Sequence, residues 1–263
     1  LGPKLLDAFG GGASAYVGMA LAFAPIVLLA GVIATLGTAH APRLERSTAH
    51  YSFAEQVRSA VANRPFFVLL MVKFVTLMSL GTQAIFPFFF QRILGVSNSV
   101  LGNYFLSQSV MMLVAPSLWL WTSRRIGKKA TFMTALAISV PAWLSWHLAS
   151  AGNPIWQVYL RGLIIGTSGS GIILMGQSLL PDTMEYDFLR TGLRREGLFA
   201  ALYTTVEKLS GAIGVSLVGA ILGAYGYVQS SGVAVDQPAS ALWAIRFIMA
   251  VIPAVISLVG MIA

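Results

Sequence analysis

Seven stretches of the chain are apolar for about 20 residues or more, and charged residues collect between them. They run over about 13–39, 66–91, 100–122, 130–149, 154–180, 198–224 and 241–263. At 1.5 Å per residue, each can cross a hydrocarbon core of roughly 30 Å. Lipid offers no partner to backbone N–H and C=O groups, so spans of this kind must close their own hydrogen bonds as helices. The expected fold class is an all-α polytopic membrane bundle of about seven transmembrane helices. Pro25, Pro87, Pro116, Pro141 and Pro253 fall inside spans, where membrane helices tolerate them as kinks. Composition agrees: 57% of residues are hydrophobic and 10% charged, against roughly 25% charged in soluble domains.

The net charge of +8 does not point to nucleic acid, because no soluble basic face exists to hold it. The positive charge sorts by loop instead. Of 17 Lys and Arg, eleven lie in the loops after spans one, three and five. These are Arg43, Arg46, Arg58 and Arg64, then Arg124, Arg125, Lys128 and Lys129, then Arg190, Arg194 and Arg195. The opposite side carries Lys4 and Arg92 alone. That bias places the three basic loops in the cytoplasm and the N-terminal end outside. Such a start, together with a last segment that reads as running into mid-span, gives the expectation of a piece of a twelve-span protein. Cysteine is absent, which excludes disulfides and thiolate metal sites. His40, His50 and His147 are too scattered to form a ligand set, so no cofactor or metal is expected.

Four basic residues lie within spans: Lys73, Arg161, Lys208 and Arg246. A charge at bilayer depth costs about 2.5 to 3.5 kcal/mol on insertion scales, so a chain retains one where it faces protein or a water-filled path. Lys208 is the deepest, near the middle of the sixth span. It shares a helical side with Thr204, Gly211, Ala212, Val215 and Gly219, a stripe that suits a solute cavity around Thr204 and Lys208. From Gly211 to Gly223 the same stripe suits close helix packing. Glu207 lies about 100° round the helix, either as an ion-pair partner for a neighbouring helix or as a cation-binding carboxylate. Tyr203 and Phe199 are candidates for stacking against a ring. Lys73, about 11 Å from the inner end of its span, either snorkels to the interface or reaches the cavity. Arg161, about 10 Å from the outer end of its own, is interfacial or part of an outer gate.

Other features carry weaker signals. Ser52-Phe53-Ala54-Glu55 has the form of a capping box, and Phe53, Val57, Ala60 and Val61 make an apolar stripe. A short amphipathic helix within 40–65 is the expectation, against a plain solvated linker. Gly162, Gly166 and Ser170 suit tight packing, while Gln177 presents an amide either to a sugar hydroxyl or to another helix. Trp119, Trp121, Trp143, Trp146 and Trp156 sit toward span ends, as interface anchors do. Asp182, Glu185, Asp187, Arg190, Arg194, Arg195 and Glu196 mix signs in the loop expected over 181–197. They are either surface ion pairs or a network that gates the inner mouth.

The most specific stretch runs from Leu180 to Tyr227. It carries Asp182…Glu185-Tyr186, then Thr191-Gly192-Leu193-Arg194-Arg195-Glu196-Gly197, then Lys208, and ends in Leu222-Gly223-Ala224-Tyr225-Gly226-Tyr227. This pattern resembles the glycoside–pentoside–hexuronide:cation symporters, the melibiose-permease-like branch of the major facilitator superfamily. Asn63-Arg64-Pro65-Phe66 resembles the start of that family's helix seven, and Arg124-Arg125-Ile126-Gly127-Lys128-Lys129 its loop between helices eight and nine.

The resemblance implies helices six to twelve of a two-bundle transporter. Residues 1–39 would be the last helix of the N-terminal bundle, 40–65 a cytoplasmic linker, and 66–263 a C-terminal six-helix bundle. It further implies alternating-access symport of a sugar, glycoside or uronide with Na+ or H+, in a bacterial inner membrane. The coupling carboxylates would lie mostly outside this stretch, and Lys208 would neutralise them or hold a substrate group. The partners implied are a small solute, a coupling cation and the lipid bilayer. A lysophospholipid carrier of the same superfamily, and a membrane receptor or scaffold, are the alternatives. An integral-membrane enzyme is not expected, since no nucleophile or ligand set accompanies the carboxylates.

Overall fold

A computed structural model of the chain describes residues 12–39, 52–228 and 236–262. Lys4, His40, Arg43, Arg46 and His50 lie outside the described residues. The chain divides into two compact units, Leu1–Thr48 and Ala49–Ala263. In the first, α1 spans Gly12–Thr38 with Pro25 inside it. The second holds α2 (Phe53–Val61), α3 (Arg64–Met78), α4 (Asn98–Ile126), α5 (Lys128–Leu144), α6 (Ile155–Thr191), α7 (Glu196–Ala224) and α8 (Ala239–Ile262). No strand occurs among the described residues. Among the described residues, six helices are long and apolar enough to cross a membrane, counting α3 through to Ile93. The segment expected over 130–149 forms a shorter helix of 17 residues, α5, which continues as a tightened turn over Ser145–Leu148.

Local chemistry sets these boundaries. Ser52 Oγ accepts the Glu55 N–H at 3.3 Å, and Glu55 Oε2 accepts the Ser52 N–H at 2.9 Å. The expected capping box therefore starts α2. Those hydrogen bonds, the backbone one foremost, hold the Glu55 carboxyl below the usual carboxylate range. Asn63 caps α3 through Oδ1, which accepts the Phe66 N–H at 3.2 Å, and its amide donates to the Thr183 carbonyl at 3.1 Å. After Met78, α3 tightens over Ser79–Ile85 and widens over Phe89–Ile93. Pro87, which lacks an N–H, sits between the two irregular turns. Carbonyls along this stretch are met by hydroxyls: Ser79 Oγ donates to the Thr76 carbonyl and Thr82 Oγ1 to the Ser79 carbonyl, both at 2.6 Å.

One expected boundary is wrong. The segment 181–197 does not begin as a loop, because α6 runs through Pro181 to Thr191. At 37 residues it is about 55 Å long, so it outruns the hydrocarbon core. Asp182, Glu185, Asp187 and Arg190 are thus residues of a projecting helix. Gly192 stops it with φ +69°, a left-handed cap in which its N–H reaches the Phe188 carbonyl at 2.8 Å.

Lipid tails are as apolar as leucine, so helix association here depends on close packing and polar ties. The tightest contact joins the irregular turn after α3 to α7. A Cβ placed on Gly81 would overlap the Gly214 backbone, and one on Gly214 would overlap the Met78 carbonyl. Gly162 and Gly166 of α6 meet Tyr104, Ser107 and Gln108 of α4 in the same way, as expected of that stripe. The α7 stripe departs from expectation: Gly211, Gly219 and Gly223 have open space around them. The packed face lies roughly 100° round the helix, with Tyr203, Ser210, Gly214 and Val218 buried. Trp119 and Trp146 are not interface anchors either. Both are buried, and Trp119 Nε1 donates to the Thr167 carbonyl at 2.7 Å.

Gly214→Ala should lower the folded stability of the detergent-solubilised protein by about 3 kcal/mol, because its neighbours are backbone atoms with little freedom to shift. Gly102→Ala, with nothing near its Cβ position, should be neutral or slightly stabilising as a helix-interior Gly→Ala change. Thermal unfolding of the two variants side by side checks this.

Candidate functional site

The charged centre of the second unit lies where α3 faces α7. Lys73 Nζ contacts Glu207 Oε2 at 2.8 Å. The same ammonium stands 3.0 Å from the centroid of the Tyr203 ring, one helical turn before Glu207. The Lys73 side chain is 7% exposed and that of Glu207 40%. Lys73 therefore neither snorkels nor opens to a cavity. It is buried, and its carboxylate and aromatic neighbours supply what water would have given. Of the two roles open to Glu207, the inter-helix ion pair is the one formed. Tyr203, expected on a cavity wall, is buried beneath Lys73.

Lys208 is placed differently. It is exposed, and it makes no ion pair among the described residues. With Thr204, Thr205, Ala200, Ala201 and Leu209 it lines a shallow depression on the outer side of α7. Thr204 Oγ1 and Thr205 Oγ1 donate to the Ala200 and Ala201 carbonyls at 2.9 and 2.8 Å, so their oxygens face outward as acceptors. Gln177 is exposed on α6, and no hydrogen bond ties it to Lys208. The sequence-expected set of Lys208, Thr204, Glu207, Tyr203 and Gln177 thus divides. Lys208 and Thr204 share the depression, Glu207 and the buried Tyr203 contact Lys73, and Gln177 stands apart.

The mixed-sign cluster at the end of α6 and start of α7 also divides. Asp187 and Arg195 form a bidentate pair, with Arg195 Nη2 2.8 and 2.7 Å from the two carboxylate oxygens and Nε at 3.1 Å. Both side chains are under 10% exposed, so this pair fastens the end of α6 to the start of α7. Asp182 pairs with Lys128 at 2.7 Å, joining α6 to the first turn of α5. Together with the Asn63–Thr183 hydrogen bond, it brings α2–α3, α4–α5 and α6–α7 to one end of the unit. Arg194 reaches only Glu196, at 3.3 Å, and lies over the Phe188 ring at 4.5 Å. Glu185 and Arg190 are exposed and form no ion pair among the described residues.

Arg161 is partly buried. Its Nε and Nη2 donate to the Ser145 hydroxyl and carbonyl at 3.1 and 3.2 Å, and it lies 5.1 Å from the centroid of a Trp146 ring. Arg246 donates to the Ala149 carbonyl at 3.2 Å. Sequence reasoning did not find a second feature, a cavity of about 190 Å3 walled by α3 and its irregular turn, α4, α5, α6 and α8. Gln83, Gln108 and Trp143 stand on its wall, and no local motif announces them.

Residues 2–263 match the family described as MFS/sugar transport protein. Among curated relatives, the chain is 29% identical to an uncharacterized symporter of Synechocystis sp., covering 85% of this chain and 42% of that protein. It is 25% identical to the isoprimeverose transporter of Lactiplantibacillus pentosus, over 92% of this chain and 50% of the relative. It is 28% identical to the glucuronide carrier protein homolog of Escherichia coli, over 79% and 45%. The chain spans about half the length of the curated relatives it matches.

The Asp187–Arg195 and Asp182–Lys128 pairs differ in burial, and their energetics should differ accordingly. Asp187→Asn leaves Arg195 buried without its counter-charge and should cost about 3 to 5 kcal/mol. Asp182→Asn breaks an exposed pair and should cost about 0 to 1 kcal/mol. Chemical denaturation of the two purified variants measures both.

Proposed function

The chain belongs to the MFS/sugar transport protein family, and from that premise we propose that it supplies one bundle of a cation-coupled sugar symporter with Lys208 on the solute path. The single observation that carries this reading is the division of labour between two lysines. Lys73 is buried and neutralised by Glu207 at 2.8 Å. Lys208, one residue further along and about 100° round α7, is exposed and makes no ion pair with any described acid. A chain that can neutralise one intramembrane lysine so completely, and leaves its neighbour open, has a use for the open charge.

The mechanism that fits is alternating access around a site near mid-membrane. Lys208 would meet either a carboxylate of the coupling-cation site on the facing bundle or an oxygen of the solute. Thr204 and Thr205 would offer acceptors to solute hydroxyls. Glu207 serves as the counter-ion that keeps α3 and α7 together while this face is exchanged between surroundings. The coupling ion is Na+ or H+, bound chiefly by carboxylates outside this stretch. The solute is a sugar, glycoside or uronide, in keeping with relatives named for isoprimeverose and glucuronide. No observation favours a lipid cargo or a scaffold. The exposed Lys128–Asp182 pair, where the α4–α5 turn meets α6, is the inner-gate contact this reading selects. A weak, solvent-reached pair can break and re-form within the few kcal/mol that separate two conformations.

Uptake by the full-length protein in proteoliposomes, driven by a Na+ or a proton gradient, tests this. Lys208→Ala should lower gradient-driven accumulation at least tenfold with folded yield within twofold, and Lys208→Arg should keep part of it. Asp182→Asn should change the initial rate more than the yield. Accumulation by Lys208→Ala equal to that of the unaltered protein would remove Lys208 from the path.

A further inference from the structure

The half-enclosed cavity inside the second unit belongs to none of the charged features described above. It begins at Thr76 on α3, three residues and so about one helical turn beyond Lys73, and extends between α4 and α6 to a floor formed by α5 and α8. At roughly 30 Å3 per water, its volume of about 190 Å3 holds about six waters, which is the bulk of a single hexose ring.

The wall carries no charged group. Thr76, Ser79, Ser139, Ser168 and Ser257 line it, but their hydroxyl protons are committed. Thr76 donates to the Val72 carbonyl, Ser79 to Thr76, Ser139 to Leu136 and Ser257, Ser168 to Ile165, and Ser257 to Pro253. These oxygens remain as acceptors only. The side-chain amides of Gln83, exposed at the mouth, and Gln108, half-buried, are uncommitted. Neither makes a hydrogen bond to a described residue, although each carries two donors and an acceptor. Trp143 completes the wall, half-buried and held edge-to-face by Phe86 at 6.4 Å between centroids.

We infer that this cavity binds one neutral, hydroxyl-bearing ring of the transported solute, with Gln83 and Gln108 as its hydrogen-bonding residues and Trp143 as the surface its C–H face lies on. The inference rests on the sugar-transport reading and deepens it. Two free amides and five acceptor-only hydroxyls match ring hydroxyls, each of which donates once and accepts. A flat indole matches the apolar face of a pyranose. An acyl chain would leave the half-buried Gln108 amide without a partner on its cavity side, which is unfavourable. An anionic sugar group finds no counter-charge here, so any carboxylate or sulfonate on the solute lies outside this cavity.

The test uses the full-length transporter in proteoliposomes with radiolabelled isoprimeverose, raffinose and methyl β-D-glucuronide as probes. If the unaltered protein accumulates at least one of them, Gln108→Ala and Gln83→Ala should each raise its KM at least fivefold with maximal rate within threefold. Trp143→Phe should retain more affinity than Trp143→Ala. A second readout does not depend on turnover. This stretch has no cysteine, so Gln108→Cys, in a background cleared of any cysteine elsewhere, gives one thiol in the cavity. The transported sugar at saturation should slow its alkylation by a maleimide at least fivefold, whereas a decyl-chain amphiphile should not. Uptake with unchanged KM in the Gln variants, or alkylation slowed by the amphiphile and not the sugar, overturns the assignment while leaving sugar transport standing. No uptake of any probe, with no protection by any of them, overturns both.

Discussion

The contact between α3 and α7 governs how the second unit presents its charges. Gly81 and Gly214 let the two backbones meet with no side chain between them. That approach brings Lys73 and Glu207 within 2.8 Å of each other, with Tyr203 beneath the ammonium. Two intramembrane charges that would each be costly alone are thereby spent on one another. The consequence reaches the other side of α7. With Glu207 turned inward to Lys73, Lys208 has the outer side to itself, beside the Thr204 and Thr205 oxygens. The pairing thus leaves one satisfied charge pair and one exposed lysine in the same stretch of α7.

Much of the fold was legible because bilayer thickness and backbone hydrogen bonding leave few choices. Apolar runs from Tyr16 to Ile262 located the long helices, although the run over 130–149 gave a helix of 17 residues, shorter than expected. The capping box at Ser52 and Glu55 fixed the start of α2, where two side chains and two backbone groups must be met locally. The end of α6 was not legible. Pro181 and the charges after it read as a loop, yet a helix that leaves the bilayer keeps its hydrogen bonds and its charged residues meet water. What stops the helix is Gly192, eleven residues later. The glycines of α7 misled for a related reason: spacing shows which residues share a side, but not which side meets protein. Gly214 lies on the buried side and Gly211 and Gly219 on the open one.

The site was legible only in part. Lys208 stood out because a charge within an apolar run is rare, and in the structure it is exposed. Lys73 and Glu207 were each visible for the same reason. One acid and one base in two such spans are natural partners, and that complementarity was the available signal for pairing them. The mixed-sign cluster could not be resolved by sequence, because pairing depends on which helix end each residue occupies. Asp187 met Arg195 across a cap, Asp182 met Lys128 from another hairpin, and Glu185 and Arg190 met neither. The cavity bearing Gln83, Gln108 and Trp143 gathers residues from helices distant in sequence, so no local motif could reveal it.

The central claim is that Glu207 belongs to Lys73 and leaves Lys208 free. A double-mutant cycle on unfolding of the full-length protein addresses it most directly, with Lys73→Met and Glu207→Gln alone and combined, and Lys208→Met combined with Glu207→Gln. A coupling free energy above about 1 kcal/mol between Lys73 and Glu207, with near-additivity between Lys208 and Glu207, is the predicted result. Strong coupling of Glu207 to Lys208, with additivity toward Lys73, would contradict the account.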